Sequence, residues 1–201
     1  VLDSKRTEEY ALDGIEAFRG RPIEEDYELV KSIGEGMYGR VHMARARATA
    51  MLWAIKTQPR VTRFKAGGVL ETAPSSAMLL REIDALRELA GRRHVICMTA
   101  VYETATQLAI VTEYCAGGDL RKLLSQDGVL PEPTVMSFGV DALAGLQCVH
   151  RHELLMVDLQ PQHLLVDEHG LVKLADFGAA LRVGDAAVTV PALSWRRTAA
   201  S

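Results

Sequence analysis

Ile33-Gly34-Glu35-Gly36-Met37-Tyr38-Gly39-Arg40-Val41 decides how this chain folds, because its three glycines admit two incompatible architectures. In one, the glycines lead from a strand into a helix whose N-terminus holds a pyrophosphate. In the other, they join two strands into a hairpin that lies over a triphosphate. Glycine is then required because a Cβ would keep the backbone N–H groups from the phosphates. The residues that follow, Val41-His42-Met43-Ala44-Arg45, have strand character, so the hairpin is selected. A dinucleotide-binding oxidoreductase, which needs the helix, is set aside.

Working outward, residues 27–34, 39–46 and 51–57 read as strands rich in β-branched and aromatic residues. Residues 58–75 carry Pro59, Gly67-Gly68 and Pro74 and read as a loop. A helix over 76–90 follows, with Leu79, Ile83, Leu86 and Leu89 at helical spacing and Gly91 as its stop. Residues 95–104 and 107–114 form a strand pair. After Gly117-Gly118 the texture turns helical, with a short helix over 119–125 and a long one over 131–151. The long helix places Val135, Phe138, Ala142, Leu146 and Val149 on one face. Short strand-like pieces at 154–157, 164–166 and 171–174 surround loops. Residues 1–26 are polar and read as a leader, with a short helix predicted over 7–18. Five strands with one helix, followed by helices, describe a two-lobed α+β protein.

Composition narrows the function classes. The chain has 201 residues, 48% of them hydrophobic, and a net charge of −3, enough for a packed core in one or two globular units. A mildly acidic balance gives no reason to expect nucleic acid or an anionic membrane as partner, and no apolar run is long enough for membrane insertion. Cys97, Cys115 and Cys148 are scattered without CxxC spacing and read as free thiols of a reducing compartment, with the cytoplasm as the expected location. No targeting peptide is evident, and the start at Val1 reads as a trimmed end.

On the third strand stands Ala54-Ile55-Lys56, and on the first helix Arg81-Glu82-Ile83. A lysine there brings positive charge to phosphates if a carboxylate holds it in place. The order GxGxxGxV, A-I-K strand and helix glutamate resembles the eukaryotic protein kinases. The resemblance implies ATP and Mg²⁺ as cofactors, residues 27–114 as the N-lobe with a five-stranded antiparallel sheet and one helix, and 115–201 as a mainly helical but incomplete C-lobe. By the same resemblance Ile33, Gly34, Gly36 and Gly39 lie over the phosphates. The Glu113 carbonyl and Cys115 amide bond adenine, Thr112 is the gatekeeper behind it, and Val41, Ala54 and Leu165 sandwich the ring. Asp176 of Asp176-Phe177-Gly178 becomes the Mg²⁺ carboxylate and Asp158 the group that accepts the substrate hydroxyl proton.

The catalytic loop departs from the family pattern H-R-D-L-K-P-x-N, reading Met156-Val157-Asp158-Leu159-Gln160-Pro161-Gln162-His163. Met156 is an adaptable apolar filler expected against Phe177. Val157 removes the arginine that meets an activation-loop phosphate, so switching of that kind is not expected. Gln160 keeps hydrogen bonding but loses the lysine charge. His163 stands where the family's second magnesium ligand would be, and neutral imidazole is a poor magnesium ligand. His163, His150 and His152 read as ordinary histidines, since no Cys or carboxylate cluster with zinc spacing accompanies them. Asp-Leu-x-Pro resembles the serine/threonine branch, and residues 130–141 with the altered loop resemble its divergent Unc-51-like/Fused-related members. No A-P-E motif follows the DFG, and an incomplete C-lobe is expected to leave the long helix partly uncovered. Two functions therefore stand side by side: an ATP-dependent serine/threonine kinase acting on a protein substrate, or a weakened pseudokinase that binds nucleotide and a partner as a scaffold.

Overall fold

The computed structural model describes residues 14–36, 39–59, 62–64, 70–72 and 74–184. Its largest element is a six-stranded sheet ordered β1-β7-β8-β4-β3-β2. The strands are β1 (Glu16–Arg19), β2 (Tyr27–Gly36), β3 (Gly39–Ala46), β4 (Leu52–Pro59), β7 (Met98–Glu103) and β8 (Gln107–Glu113). The glycine stretch is the β2–β3 hairpin, with Gly34 opposite Val41 and Gly36 opposite Gly39. A Cβ on Gly39 would lie 2.2 Å from the Thr57 carbonyl oxygen, so no other residue fits this crossing of β3 over β4.

Two expectations change here. The sheet has six strands rather than five, and it is not wholly antiparallel, because β1 pairs in parallel with β7 from Glu16 opposite Ala100 to Arg19 opposite Glu103. Residues 14–26 are thus no free leader, and 16–18 are strand rather than helix; the earlier part of the predicted helix lies outside the described residues. The reason is tertiary. Glu16–Arg19 sits between Gly14 and Gly20, both at positive φ (73° and 70°), and the backbone of β7 supplies its partners. Ile15 and Ile23 anchor the segment in the core, each worth about 1.5–3 kcal/mol of burial. Around Ile23, Phe18 stacks on Tyr102 at 4.6 Å and the Tyr102 hydroxyl donates to Asp26 at 2.7 Å. The second change is at 58–75: Gln58 and Pro59 complete β4, and β5 (Thr62–Phe64) pairs with β6 (Leu70–Thr72) as a small hairpin.

Helix α1 (Pro74–Glu88) packs its periodic face, Leu79, Ile83 and Leu86, into a core shared with Val101, Leu108 and Ile110 of the sheet and with Phe177. Met156 packs against the same cluster, as expected from its apolar shape. Below the sheet come β9 (Gly118–Asp119), α2 (Leu120–Asp127), α3 (Glu132–Arg151), β10 (Leu154–Leu155), β11 (Leu164–Val166), β12 (Val172–Leu174) and β13 (Leu181–Arg182). Asp119 caps α2 by accepting from the Lys122 amide at 2.9 Å. Of α3, the C-terminal half is anchored by Gly145 and Val149. Of the face expected to be apolar, Val135 is exposed; Met136, Val140 and Leu143, which lie off that face, are exposed as well.

Candidate functional site

Lys56 lies on β4, opposite Val41 of β3 and Ile110 of β8, so the sheet fixes its direction. Its Nζ donates to Glu82 Oε2 at 2.6 Å and to Asp176 Oδ1 at 3.0 Å. Three elements meet at this nitrogen: β4, α1 and the turn after β12. Glu82 is 4% exposed. Burial drives its carboxyl above the usual range, opposed by the Lys56 charge. Burial alone would lower Lys56, but Glu82 and Asp176 outweigh it and hold the ammonium above its ordinary value. Burial likewise opposes ionisation of Asp176, yet Lys56 and, to a lesser degree, His163 and the Gly178 amide keep it below the usual carboxylate range. Lys56 and Asp176 are thereby held in their charged forms, while burial works against the charged form of Glu82.

Asp176 holds its position at a conformational cost. It sits in the left-handed region at φ 63°, which costs a non-glycine residue about 1–3 kcal/mol. Phe177, fully buried in the core, and the Lys56 bond hold it there. Gly178 approaches Met78 of α1, tying the same turn to the helix that carries Glu82.

The catalytic-loop residues converge on Asp176 from the other side. Gln160 Nε2 donates to Asp158 Oδ1. The His163 ring Nδ1 donates to the Asp158 carbonyl oxygen at 2.7 Å, while its Nε2 lies 3.5 Å from Asp176 Oδ2. His163 is buried and its own carbonyl accepts from the Ala175 amide at 2.9 Å. His163, one of the four residues at which the loop departs from the family pattern, thus bridges the loop of Asp158 and the turn of Asp176.

The residues expected to meet a nucleotide lie on one sheet face and its border. Thr112 is opposite Ala54 in the β4–β8 register, and its hydroxyl approaches the Ala54 carbonyl at 3.5 Å. Leu165 is opposite Asp119 and packs with Cys115 against the core. Gly117 presses on Val166, where a Cβ would meet the Val166 carbonyl at 2.9 Å. Three side chains at this border went unnoticed in the sequence. Lys173 Nζ pairs with Glu113 Oε2 at 2.6 Å, while Glu113 Oε1 accepts from the Cys97 amide at 2.8 Å. The Glu113 side chain, expected to matter only through its backbone, is a half-buried brace. Lys122 Nζ donates across the cleft mouth to the Ile33 carbonyl at 2.8 Å. None carries a sequence signal beyond its charge; each is found only when distant segments meet.

Among the described residues no group of three or more His, Cys, Asp or Glu is arranged to hold a metal, and His150 and His152 join no such cluster. Nor is any helix among them long and apolar enough to cross a membrane.

The family model for the protein kinase domain matches residues 27–194. The serine/threonine-protein kinase RUNKEL of Arabidopsis thaliana is 33% identical over 159 residues, covering 79% of this chain and 11% of that protein. Serine/threonine-protein kinase 36 of Pongo abelii is 34% identical over 158 residues, covering 78% of this chain and 11% of that one. The cAMP-dependent protein kinase type 3 of Saccharomyces cerevisiae is 27% identical over 165 residues, 82% of this chain and 39% of its own length. The chain spans about a tenth of the first two relatives. With the glycine hairpin, the Lys56–Glu82 pair and the matched domain in one order, the chain belongs to the eukaryotic serine/threonine protein kinase family.

Proposed function

We propose that this domain binds ATP in the cleft between sheet and helices and transfers its γ-phosphate, slowly, to serine or threonine of a protein substrate. The observation that carries the reading is the Lys56 ammonium held between Glu82 and Asp176, at 2.6 and 3.0 Å. A cation fixed this way meets the phosphates without having to be ordered at the moment of reaction. The Glu113 carbonyl and Cys115 amide hold adenine, Thr112 stands behind it, and Val41, Ala54 and Leu165 enclose the ring. Gly34, Gly36 and Gly39 bring backbone amides over the phosphates. Asp176 is a hard oxygen donor kept ionised, and so suits Mg²⁺. A magnesium ion bound there would neutralise the β- and γ-phosphate oxygens.

Asp158 accepts the proton of the substrate hydroxyl. Gln160 occupies one of its oxygens and supplies a neutral donor where the family places a charge. Losing one such electrostatic contact costs about 10²–10³ in rate in other enzymes. This supports a second reading, a pseudokinase whose nucleotide-bound form is a scaffold for a protein partner. Three free cysteines fit a reducing, cytoplasmic setting.

The test is phosphate incorporation into a generic serine/threonine substrate by the intact protein. Incorporation abolished by Asp158→Ala ends the scaffold reading. Thermal stabilisation by Mg-ATP without turnover ends the enzyme reading. If ATP does not bind, and Lys56→Ala changes nothing, both fail.

A further inference from the structure

We propose that the exposed face of α3 is a self-association surface, on which the same helix of a second copy of this chain lies antiparallel about a two-fold axis between Asp141 and Ala142. The inference does not depend on nucleotide binding or on phosphate transfer.

Helix α3 is anchored on one side. Gly145 and Val149 are buried there, and a Cβ on Gly145 would meet the His94 carbonyl and Leu174 of β12. The opposite side carries Met136, Val140 and Leu143, which are 63%, 62% and 67% exposed. Spaced by four and then three residues, they form one line along the helix. An apolar stripe of this kind, open to water, marks a surface that binds a partner.

The ends of the stripe select the partner. One turn before Met136 stands Glu132, and beyond Leu143 the line runs through Gln147 to Arg151. Both charged residues are exposed and have no ion-pair partner among the described residues. Val140 and Leu143, Met136 and Gln147, and Glu132 and Arg151 each lie equally far on either side of one midpoint. Turning a copy of the helix end for end therefore sets Val140 on Leu143 twice at the centre and Glu132 beside Arg151 at both ends. A two-fold interface demands this self-complementarity, whereas a foreign partner does not.

Geometry permits the pairing. Gly139 and Ala144 flank the centre, and their small size lets the two backbones approach. Glu132 and Arg151 are roughly 28 Å apart along the helix, so both end pairs close only at a shallow crossing of about 20°. The antiparallel order also brings the positive end of each helix dipole to the negative end of the other. A closed two-fold pair stops at the dimer. One helix face of 20 residues makes a small interface, so the dimer is reversible.

The experiment is sedimentation equilibrium of the full 201-residue chain over a range of concentrations. The expected weight-average mass rises from 22.0 kDa toward twice that value and stops there. Leu143→Glu sets two like charges near the axis and should hold the chain monomeric, with an unchanged thermal melt because the position is exposed. Glu132→Arg and Arg151→Glu should each weaken the dimer roughly tenfold, since both end pairs become like-charge contacts. Combining the two should restore it. A mass fixed at 22.0 kDa overturns the proposal and leaves the stripe to residues 185–201 or to another protein. Association that survives Leu143→Glu also overturns it, as does growth beyond the dimer. A double charge variant no tighter than the single ones overturns it as well. The charge variants leave the apolar centre intact, so poor folding of Leu143→Glu does not protect the proposal.

Discussion

Replacing Lys56 by methionine keeps the length of the side chain and removes the charge from a site where two carboxylates face it. Glu82, with its side chain 5% exposed, is then left without its cation. Breaking such a buried pair from one side costs about 3–5 kcal/mol, because the remaining charge is uncompensated. The Asp176 arm adds little, since that side chain is 45% exposed and water screens it. For a domain of this size each kcal/mol lowers the melting temperature by about 2–4 °C, so Lys56→Met should melt roughly 6–20 °C below wild type. The deficit must depend on pH. Without Lys56 the Glu82 carboxyl loses its main lowering influence and rises further above its unfolded value. A group whose folded value is raised stabilises the fold while protonated and loses that contribution as pH rises through the folded value. The gap between variant and wild type should therefore be small near pH 5 and wide at pH 8, as read by thermal melts in a pH series. Adding Glu82→Gln to Lys56→Met should recover most of the loss. A deficit that is constant with pH, or a double variant as unstable as the two losses summed, would refute the charged-pair account.

Ile23→Ala removes the anchor of the N-terminal segment and should cost about 2–5 kcal/mol in urea unfolding; a loss under about 0.5 kcal/mol, the scale of ordinary surface changes, would mean that residues 14–26 add nothing to the fold. Gly145→Ala would gain up to about 1 kcal/mol from helix propensity. Its Cβ, however, meets the His94 carbonyl at 2.8 Å and Leu174 at 2.9 Å, so a net loss of about 1–3 kcal/mol is expected. An unchanged midpoint would show that α3 shifts away from β12 at no cost.

What could be read from the sequence was what chemistry constrains locally. The glycine hairpin, Lys56 and Asp176 stand in motifs whose order admits few folds. Glu82 was a candidate as a carboxylate of the first helix, and its pairing with Lys56 followed from the motif order of the family resemblance rather than from helical spacing. Strand β1 escaped because Glu16-Ala17-Phe18-Arg19 alternates poorly and its strand state comes from the neighbouring edge, not from propensity. The β5–β6 hairpin was hidden by the Gly67-Gly68 and Pro59 signals around it. The Glu113–Lys173 brace and the His163 bridge escaped for another reason: their partners are distant in sequence, and charge alone does not say which partner is chosen. The substitution at residue 163 was visible as a departure, but only the fold shows both faces of the ring in use.

Strand β7 is almost wholly buried from Met98 to Glu103. A long apolar strand at the rim of a sheet exposes unpaired amides and carbonyls on which another chain can template itself. Strand β1 occupies that rim, and its outermost residues, Glu16 and Arg19, are charged and exposed. It is only four residues long. The segment ahead of the family-matched region thereby ends the sheet with a short, charged border. Its removal should show first as concentration-dependent self-association, before any change at the cleft.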